Sequence, residues 1–194
     1  MANNKQIPEI RFSGFTDAWE QRKFSDVVVT RRGLTYRPCD VVSEESGIRV
    51  LRSSNINEDQ YIQSKNDVFV KREAVNIQFA KEDDILITSA NGSNRLVGKH
   101  AIITGVSNDV VPGGFMLLAS TKNHDFINAS MSSEWYSRFI NLYVSGGNGA
   151  IGNLSKSDLD NQSILLPSEE EQQKIGAFFK NLDNLITLHQ RKQL

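Results

Sequence analysis

The fold is decided by residues 167–194, which read PSEEEQQKIGAFFKNLDNLITLHQRKQL. Pro167 ends the preceding segment, Ser168 is a candidate N-cap, and Glu171 stands three residues later, as in a capping box. Three consecutive glutamates place negative charge at the positive end of the helix dipole. The pattern therefore predicts one long C-terminal helix over 168–194, about 39 Å in length at 1.5 Å per residue.

This helix carries an apolar face that is wider than a strict two-stranded seam. The face consists of Ile175, Phe178, Phe179, Leu182, Leu185 and Ile186. The helix is longer than a domain of this size needs for its own core, and no stop signal follows it. We therefore expect it to project, to be only the first part of a longer helix, and to pack on a partner helix. The alternative is a terminal helix that lies flat on its own sheet.

Residues 1–167 have a different character, with short apolar runs separated by turn residues. The β-branched content predicts strands near 19–24, 48–52, 67–70, 84–88, 96–104, 115–119 and 163–166. Short helices are predicted over 25–33, 71–78, 134–144 and 155–159. Strands and helices do not alternate strictly, which predicts an α+β domain with a curved, mainly antiparallel β-sheet and short helices.

Composition bounds the function. The chain has 194 residues, a formal net charge of −1 and a single cysteine. These values exclude a histone-like cationic protein, a disulfide framework and a cysteine-based zinc site. An N-terminus without an apolar run and the lack of long apolar stretches predict a cytoplasmic protein without contact to a membrane.

Catalytic motifs are weak. Gly147, Gly149 and Gly152 fit G-x-G-x-x-G, but a predicted helix rather than a strand precedes them. The histidines are widely separated and have no metal-ligand spacing. We therefore expect no catalytic activity, no metal site and no cofactor bound by this chain.

Four polar loops carry side chains suited to base edges and phosphates. Arginine can grip guanine with two hydrogen bonds, asparagine can do the same to adenine, and serine suits either base. The candidate DNA-binding residues are Arg31, Arg32, Tyr36 and Arg37; Arg52, Ser53, Ser54 and Asn55; Asn91, Ser93, Asn94, Arg95 and Lys99; and Asn148 in a glycine-rich loop. The near-zero net charge argues against autonomous binding, because phosphate neutralisation supplies most of such affinity.

Several segments together resemble one protein family over nearly the whole chain. They are PEIRFSGF at 8–15, VLRSSNI at 50–56, DILI at 84–87, VGK at 97–99, GGNG at 146–149, LSKSDL at 154–159, LLP at 165–167, EQQKI at 171–175 and LDNLI at 182–186. The sequence thereby resembles the specificity subunit of type I restriction–modification systems, in a form with one target-recognition domain, 1–167, and part of the conserved spacer helix, 168–194.

The resemblance implies a non-catalytic subunit that reads one half of a bipartite DNA target. Its helix would dock adenine methyltransferase subunits, which bind S-adenosylmethionine, and motor–nuclease subunits would join for cleavage. Family members usually hold two recognition domains and two helices, so a second copy of this chain or a second half-subunit is a further expected partner. Two identical helices packed antiparallel satisfy two-fold symmetry, which predicts an interrupted palindrome as the target.

Three other readings stay open at this point. The first is a stand-alone dimeric DNA-binding regulator, which would bind DNA tightly with a steep salt dependence. The second is an enzyme that acts on a nucleotide through the glycine loops, and the third is an unrelated β-rich ligand-binding module. Co-purification with an adenine methyltransferase distinguishes the specificity subunit from all three.

Overall fold

The structure, a computed structural model, describes residues 7–106, 109–144 and 152–191. The strands in these ranges are β1 Glu20–Lys23, β2 Val29–Arg32, β3 Val41–Val42, β4 Ile48–Leu51, β5 Ile56–Asn57, β6 Gln60–Tyr61, β7 Val68–Val70, β8 Ile85–Thr88, β9 Ala90–Asn91, β10 His100–Ile102, β11 Val110–Pro112, β12 Met116–Ser120, β13 Gly152–Asn153 and β14 Ser163–Leu166. The α-helices are α1 His124–Met131, α2 Glu134–Tyr143, α3 Lys156–Asp160 and α4 Glu169–Arg191.

The strands form two four-stranded sheets and three two-stranded pairs. The first sheet has the order β10-β8-β12-β2 and the second has the order β11-β4-β7-β3. Within the described ranges every strand pairing is antiparallel except that of β11 with β4. The predicted α+β class with mainly antiparallel pairing is confirmed, although the strands are distributed over more than one sheet.

The first sheet lies at the centre of the molecule because its strands are apolar on both faces. In β8, Ile85 and Ile87 face the helices, whereas Leu86 faces the second sheet. In β12, which is paired with β8, Leu117 faces the helices and Leu118 faces the second sheet. Side chains of a strand alternate between its faces, so one run of apolar residues fills two core layers.

The long helix α4 confirms the predicted C-terminal element, and it begins at Glu169. Its first turns pack on α1, where Gly176 lies so close that an added Cβ would be 2.8 Å from the Phe126 amide nitrogen. The predicted capping box forms in part, since the Glu171 amide donates to the Ser168 hydroxyl at 3.4 Å. The Glu171 carboxylate, which is 0% exposed, accepts two hydrogen bonds from Arg11 at 2.7 and 2.8 Å. The N-terminal segment thereby anchors the helix to the domain.

Two predicted helices are wrong. Residues 25–33 form only a 3₁₀ turn at Phe24–Asp26 and then the strand β2, because Val29 and Thr30 are β-branched and pair with β12. Residues 71–78 form only a 3₁₀ turn, Arg72–Ala74, after which Val75 and Ile77 pack against the second sheet.

Other boundaries agree more closely. The strand at 163–166 is confirmed, and the helix predicted over 134–144 is confirmed as α2. The long strand predicted over 96–104 shortens to β10, because Gly98 has a φ of +84° that an extended strand does not allow. Ser133 and Ser155 precede helices as predicted, but neither side chain makes a capping hydrogen bond.

Candidate nucleic-acid interface

Three of the predicted polar loops meet at one cleft between the two large sheets. The cleft has a volume of about 890 Å³. Its lining comprises Leu34, Thr35, Tyr36, Pro38 and Val41 from the first loop, Arg52, Ser53 and Ser54 from the second, Ala90, Asn91 and Gly92 from the third, and Gly113, Gly114, Phe115 and Met116. Residues far apart in sequence thus form one surface, in which polar side chains stand among apolar residues and glycines.

The second and third loops are joined directly. The side-chain amide of Asn91 donates to the Ser53 hydroxyl at 2.9 Å. The Asn91 carbonyl oxygen accepts from the Ser93 amide at 2.9 Å, an Asx turn that bends the chain away from the cleft. Asn91 therefore fixes the distance between the two walls as well as offering polar atoms to a ligand.

Of the exposed arginines in these loops, Arg52 lines the cleft, and Arg32 and Arg95 lie outside its lining. Arg32 ends β2 just before the lining residue Leu34, and Arg95 follows the third loop in a 3₁₀ turn, Asn94–Leu96. All three arginines are exposed, and none makes an ion pair within the described ranges. They are therefore available to phosphates or base edges. Ser54 and Ser93 are exposed in the same loops.

Arg37 has an acidic partner at the cleft mouth. Its guanidinium pairs with Asp40 at 3.3 Å, and the Arg37 amide donates to the same carboxylate at 2.9 Å. Lys71 adds a further pair with Asp40 at 3.0 Å. The amide hydrogen bond and, after it, the two cations hold the pKa of Asp40 well below its ordinary value. Arg37 remains largely exposed, so it can still face a phosphate.

Arg31 corrects the sequence-based assignment. It lies on β2 with its side chain half-buried, and it pairs with Asp84 at 3.1 Å. The same guanidinium donates to Gln78 at 3.0 Å and to Ser120 at 3.1 Å. These contacts join β2, β12 and the turn before β8, so the structure assigns Arg31 to the framework of the first sheet instead of to the reading surface.

Asn55 requires the same correction. Its side chain is 0% exposed, accepts from the Arg52 amide at 2.7 Å, and donates to the Ile62 carbonyl at 3.0 Å and to Asp67 at 2.9 Å. Asp67 is itself buried and pairs with Arg49. No base edge can reach Asn55 in this arrangement. It supports the reading loop from below.

The last part of the third loop turns inward. Lys99 is half-buried and lies outside the cleft lining. His100 is buried on β10 between the carbonyls of Gly98 and Asn128, and burial lowers the pKa of His100. The predicted residue Asn148 and most of the glycine-rich loop, 145–151, lie outside the described residues.

The cleft also contains a residue that the sequence analysis missed. Phe115 lines it and is 68% exposed, in the turn that joins β11 to β12. The signal was present in the sequence as two glycines directly before a phenylalanine, at 113–115. The sequence predicts a strand over 115–119, and a position within a strand gives no sign that its side chain is exposed.

The apolar face of α4 is the second notable surface. Its exposed members are Phe178, Phe179, Leu182, Leu185, Ile186 and Leu188. Leu185 is the most exposed of the leucines on this face, at 61%. Ile175, by contrast, packs against the core beside α1, so the structure assigns it to the domain's own packing. Most of the predicted interface is therefore free of contacts that would bury it.

The helix is not an isolated rod. The ring of Phe12 meets that of Phe178 edge to face at 5.7 Å, and Lys180 pairs with Asp125 of α1 at 3.1 Å. Farther along, the Thr187 hydroxyl accepts a hydrogen bond from Gln60 of the β5–β6 hairpin. The helix thus lies along one side of the domain while its apolar face stays open to solvent.

Some chemistry is absent from the described ranges. They contain no group of three or more His, Cys, Asp or Glu side chains placed to hold a metal ion. No helix among them is both long enough and apolar enough to cross a membrane.

The α+β fold of this chain is also found in solved structures. It resembles the HsdS subunit from Thermoanaerobacter tengcongensis, with a TM-score of 0.65 and 13% identity over 94% of this chain and 41% of that one. It also resembles the S subunit of a type I system from M. genitalium, with a TM-score of 0.55 and 14% identity over 96% and 45%. A further match has a TM-score of 0.66 and 15% identity over 93% and 42%, in a structure that describes complex assembly of the type I R-M system.

These TM-scores show a shared fold, and the chain spans less than half the length of each solved protein. The family model for the type I restriction modification DNA specificity domain matches residues 16–194. The chain therefore belongs to the family of type I restriction–modification DNA specificity domains, as the sequence resemblance predicted.

Proposed function

We propose that this chain is the non-catalytic specificity subunit of a type I restriction–modification complex, and that the cleft reads one half of a bipartite DNA target. The observation that carries the proposal is the meeting of three polar loops at one cleft in a chain of this family. Arginine, serine and asparagine side chains around one concave surface are the groups that read base edges in the major groove.

The charge distribution favours reading within a larger assembly. Arg52 supplies a cationic group at the cleft, and Arg32 and Arg95 are exposed in the polar loops, but the whole chain has a net charge of −1. A protein that bound DNA on its own would need more phosphate contacts. A partner that surrounds the duplex would supply them. In this proposal the partners are adenine methyltransferase subunits, which bind S-adenosylmethionine, and motor–nuclease subunits, all in the cytoplasm.

The open face of α4 is the proposed docking surface for those subunits or for a second copy of the chain. Its 23 residues span about 35 Å, close to one turn of DNA. Two copies with antiparallel helices would therefore place two inverted clefts about one helical turn apart. The target of such a dimer is an interrupted palindrome.

Two measurements test this proposal. The first is affinity purification of the full chain from its native cells, in which an adenine methyltransferase should co-purify. The second is selection from a random duplex library by the purified complex, which should enrich one bipartite motif. Recovery without a methyltransferase, or sequencing without an enriched motif, would contradict the proposal. Tight, steeply salt-dependent binding by the isolated chain would favour a stand-alone regulator instead.

A matched pair of variants links the motif to the cleft. Arg52→Ala removes an exposed guanidinium from the lining, and it should relax the motif at one or two positions. Arg138→Ala removes an exposed arginine from α2, outside the cleft, and should leave the motif unchanged. An identical motif for both variants would remove Arg52 from the reading surface.

A further inference from the structure

Phe115 is an exposed apolar side chain in the lining of the cleft, on a turn whose backbone is held by hydrogen bonds. The Phe115 carbonyl accepts hydrogen bonds from two amides, that of Ser89 at 2.9 Å and that of Ala90 at 3.1 Å. The turn that presents it is closed by a hydrogen bond from the Met116 amide to the Gly113 carbonyl at 2.8 Å. The backbone is therefore fixed from both sides, while the ring itself is 68% exposed.

The surroundings give the ring little to pack on. Gly113 and Gly114 precede it, and Gly92 is also in the lining, so these three positions offer the ring no side chain. An exposed phenyl ring forgoes the gain in free energy that burial of its apolar surface would bring. Such a ring on a rigid turn, surrounded by open space, is arranged to receive an apolar group from a ligand.

We propose that Phe115 is a specificity-determining residue that contacts the 5-methyl group of a thymine in the target. The inference rests on the proposed function of the cleft. In the major groove the thymine methyl is the apolar feature that hydrogen-bonding groups cannot read, and a phenylalanine ring is a suitable partner for it. Arg52, Ser53 and Asn91 in the same lining offer polar atoms to the neighbouring base edges. The cleft thus combines both kinds of readout.

The test compares two random DNA libraries, one with thymine and one with uracil, which lacks the 5-methyl group. Random duplexes are amplified with either thymidine or deoxyuridine triphosphate, and the complex selects from each. Wild-type complex should enrich a motif with a thymine, and uracil at that one position should weaken binding about fourfold, the factor for burying one methyl group. The Phe115→Ala complex should bind equally well to duplexes with thymine and with uracil at that position, and it should accept other bases at the same position. Leu142→Ala, which removes an exposed side chain from α2, should behave as wild type.

Each remaining outcome has a distinct meaning. A wild-type motif without thymine, or a Phe115→Ala complex that still prefers thymine to uracil, overturns the inference while leaving the proposed function intact. Lost affinity in Phe115→Ala with no thymine preference in wild type indicates a ring inserted between base pairs, and it overturns the methyl contact as well. No enriched motif for wild type contradicts the proposed function itself. An unchanged melting temperature of Phe115→Ala verifies that the variant is folded.

Discussion

Replacing Asn55 with alanine is the sharpest test of how the cleft is supported. The substitution removes three hydrogen bonds from a fully buried site, to the Arg52 amide, the Ile62 carbonyl and the Asp67 carboxylate. A lost neutral hydrogen bond costs about 1 kcal/mol and one to a charged group about 1.5–3 kcal/mol. We therefore expect Asn55→Ala to lower the free energy of unfolding by about 4 kcal/mol.

Thermal and urea unfolding of the purified chain measure this effect. For a chain of this size each kcal/mol shifts the melting temperature by about 2–4 °C, so the expected decrease is about 8–16 °C. The urea midpoint should fall with little change in slope, because the unfolded surface stays the same. Asn55→Asp should also destabilise at neutral pH, because it places a second carboxylate against Asp67.

The neighbouring residue supplies the control. Arg52 is exposed, its side chain has no ion pair among the described residues, and its amide survives substitution. Arg52→Ala should therefore change the free energy of unfolding by less than about 0.5 kcal/mol. Equal melting temperatures for Asn55→Ala and wild type would refute the structural role assigned to Asn55. They would return this residue to the candidate base-reading groups.

Four further variants test other parts of the structure. Gly33→Ala should prevent folding, because the added Cβ would lie 1.9 Å from a carbonyl oxygen of the turn after β11. Gly92→Ala is the control: its added Cβ would meet open space, so the melting temperature should stay unchanged. Leu182→Asp combined with Leu185→Asp should abolish co-purification of partners without lowering the melting temperature of the chain, and wild-type recovery of partners would disprove the docking role of α4. Asp40→Asn should destabilise the chain at neutral pH. Since the pKa of Asp40 is lowered in the fold, the difference in stability from wild type should persist above about pH 4 and shrink as the pH falls below the ordinary pKa of 3.8. A stability difference that is independent of pH would argue against the ion pairs of Asp40.

Sequence patterns within a segment correctly predicted those helices and strands whose formation depends mainly on that segment. The helix α4 follows from its glutamate-rich first turn and its periodic apolar face, and β14 follows from a short apolar run that ends at Pro167. The family could also be predicted, because its motifs, such as EQQKI at 171–175 and LDNLI at 182–186, are short runs that can be recognised without knowledge of the tertiary fold. The helix predicted over 25–33 failed because pairing with β12, some ninety residues distant, outweighs local helix signals.

The candidate site was predictable at the level of loops and less so at the level of residues. Three loops that the sequence marked as polar do converge on the cleft. The roles of Arg31 and Asn55 depend on Asp84 and Asp67, and nothing in the local sequence shows that these carboxylates come to meet them. An arginine that pairs with a buried carboxylate and one that faces solvent look alike in a sequence, since burial is set by the tertiary fold.

The β5–β6 hairpin links the cleft to the long helix α4. Its base continues directly from the cleft residues Arg52, Ser53 and Ser54, and its far end is hydrogen-bonded to Thr187 of α4. The Asn55 carbonyl, in turn, accepts from the Ile62 amide at 3.0 Å and closes the hairpin at its base. The hairpin thus connects the cleft wall with the long helix. A change in the direction of that helix would therefore have to break the hydrogen bond between Gln60 and Thr187 or move the hairpin with it.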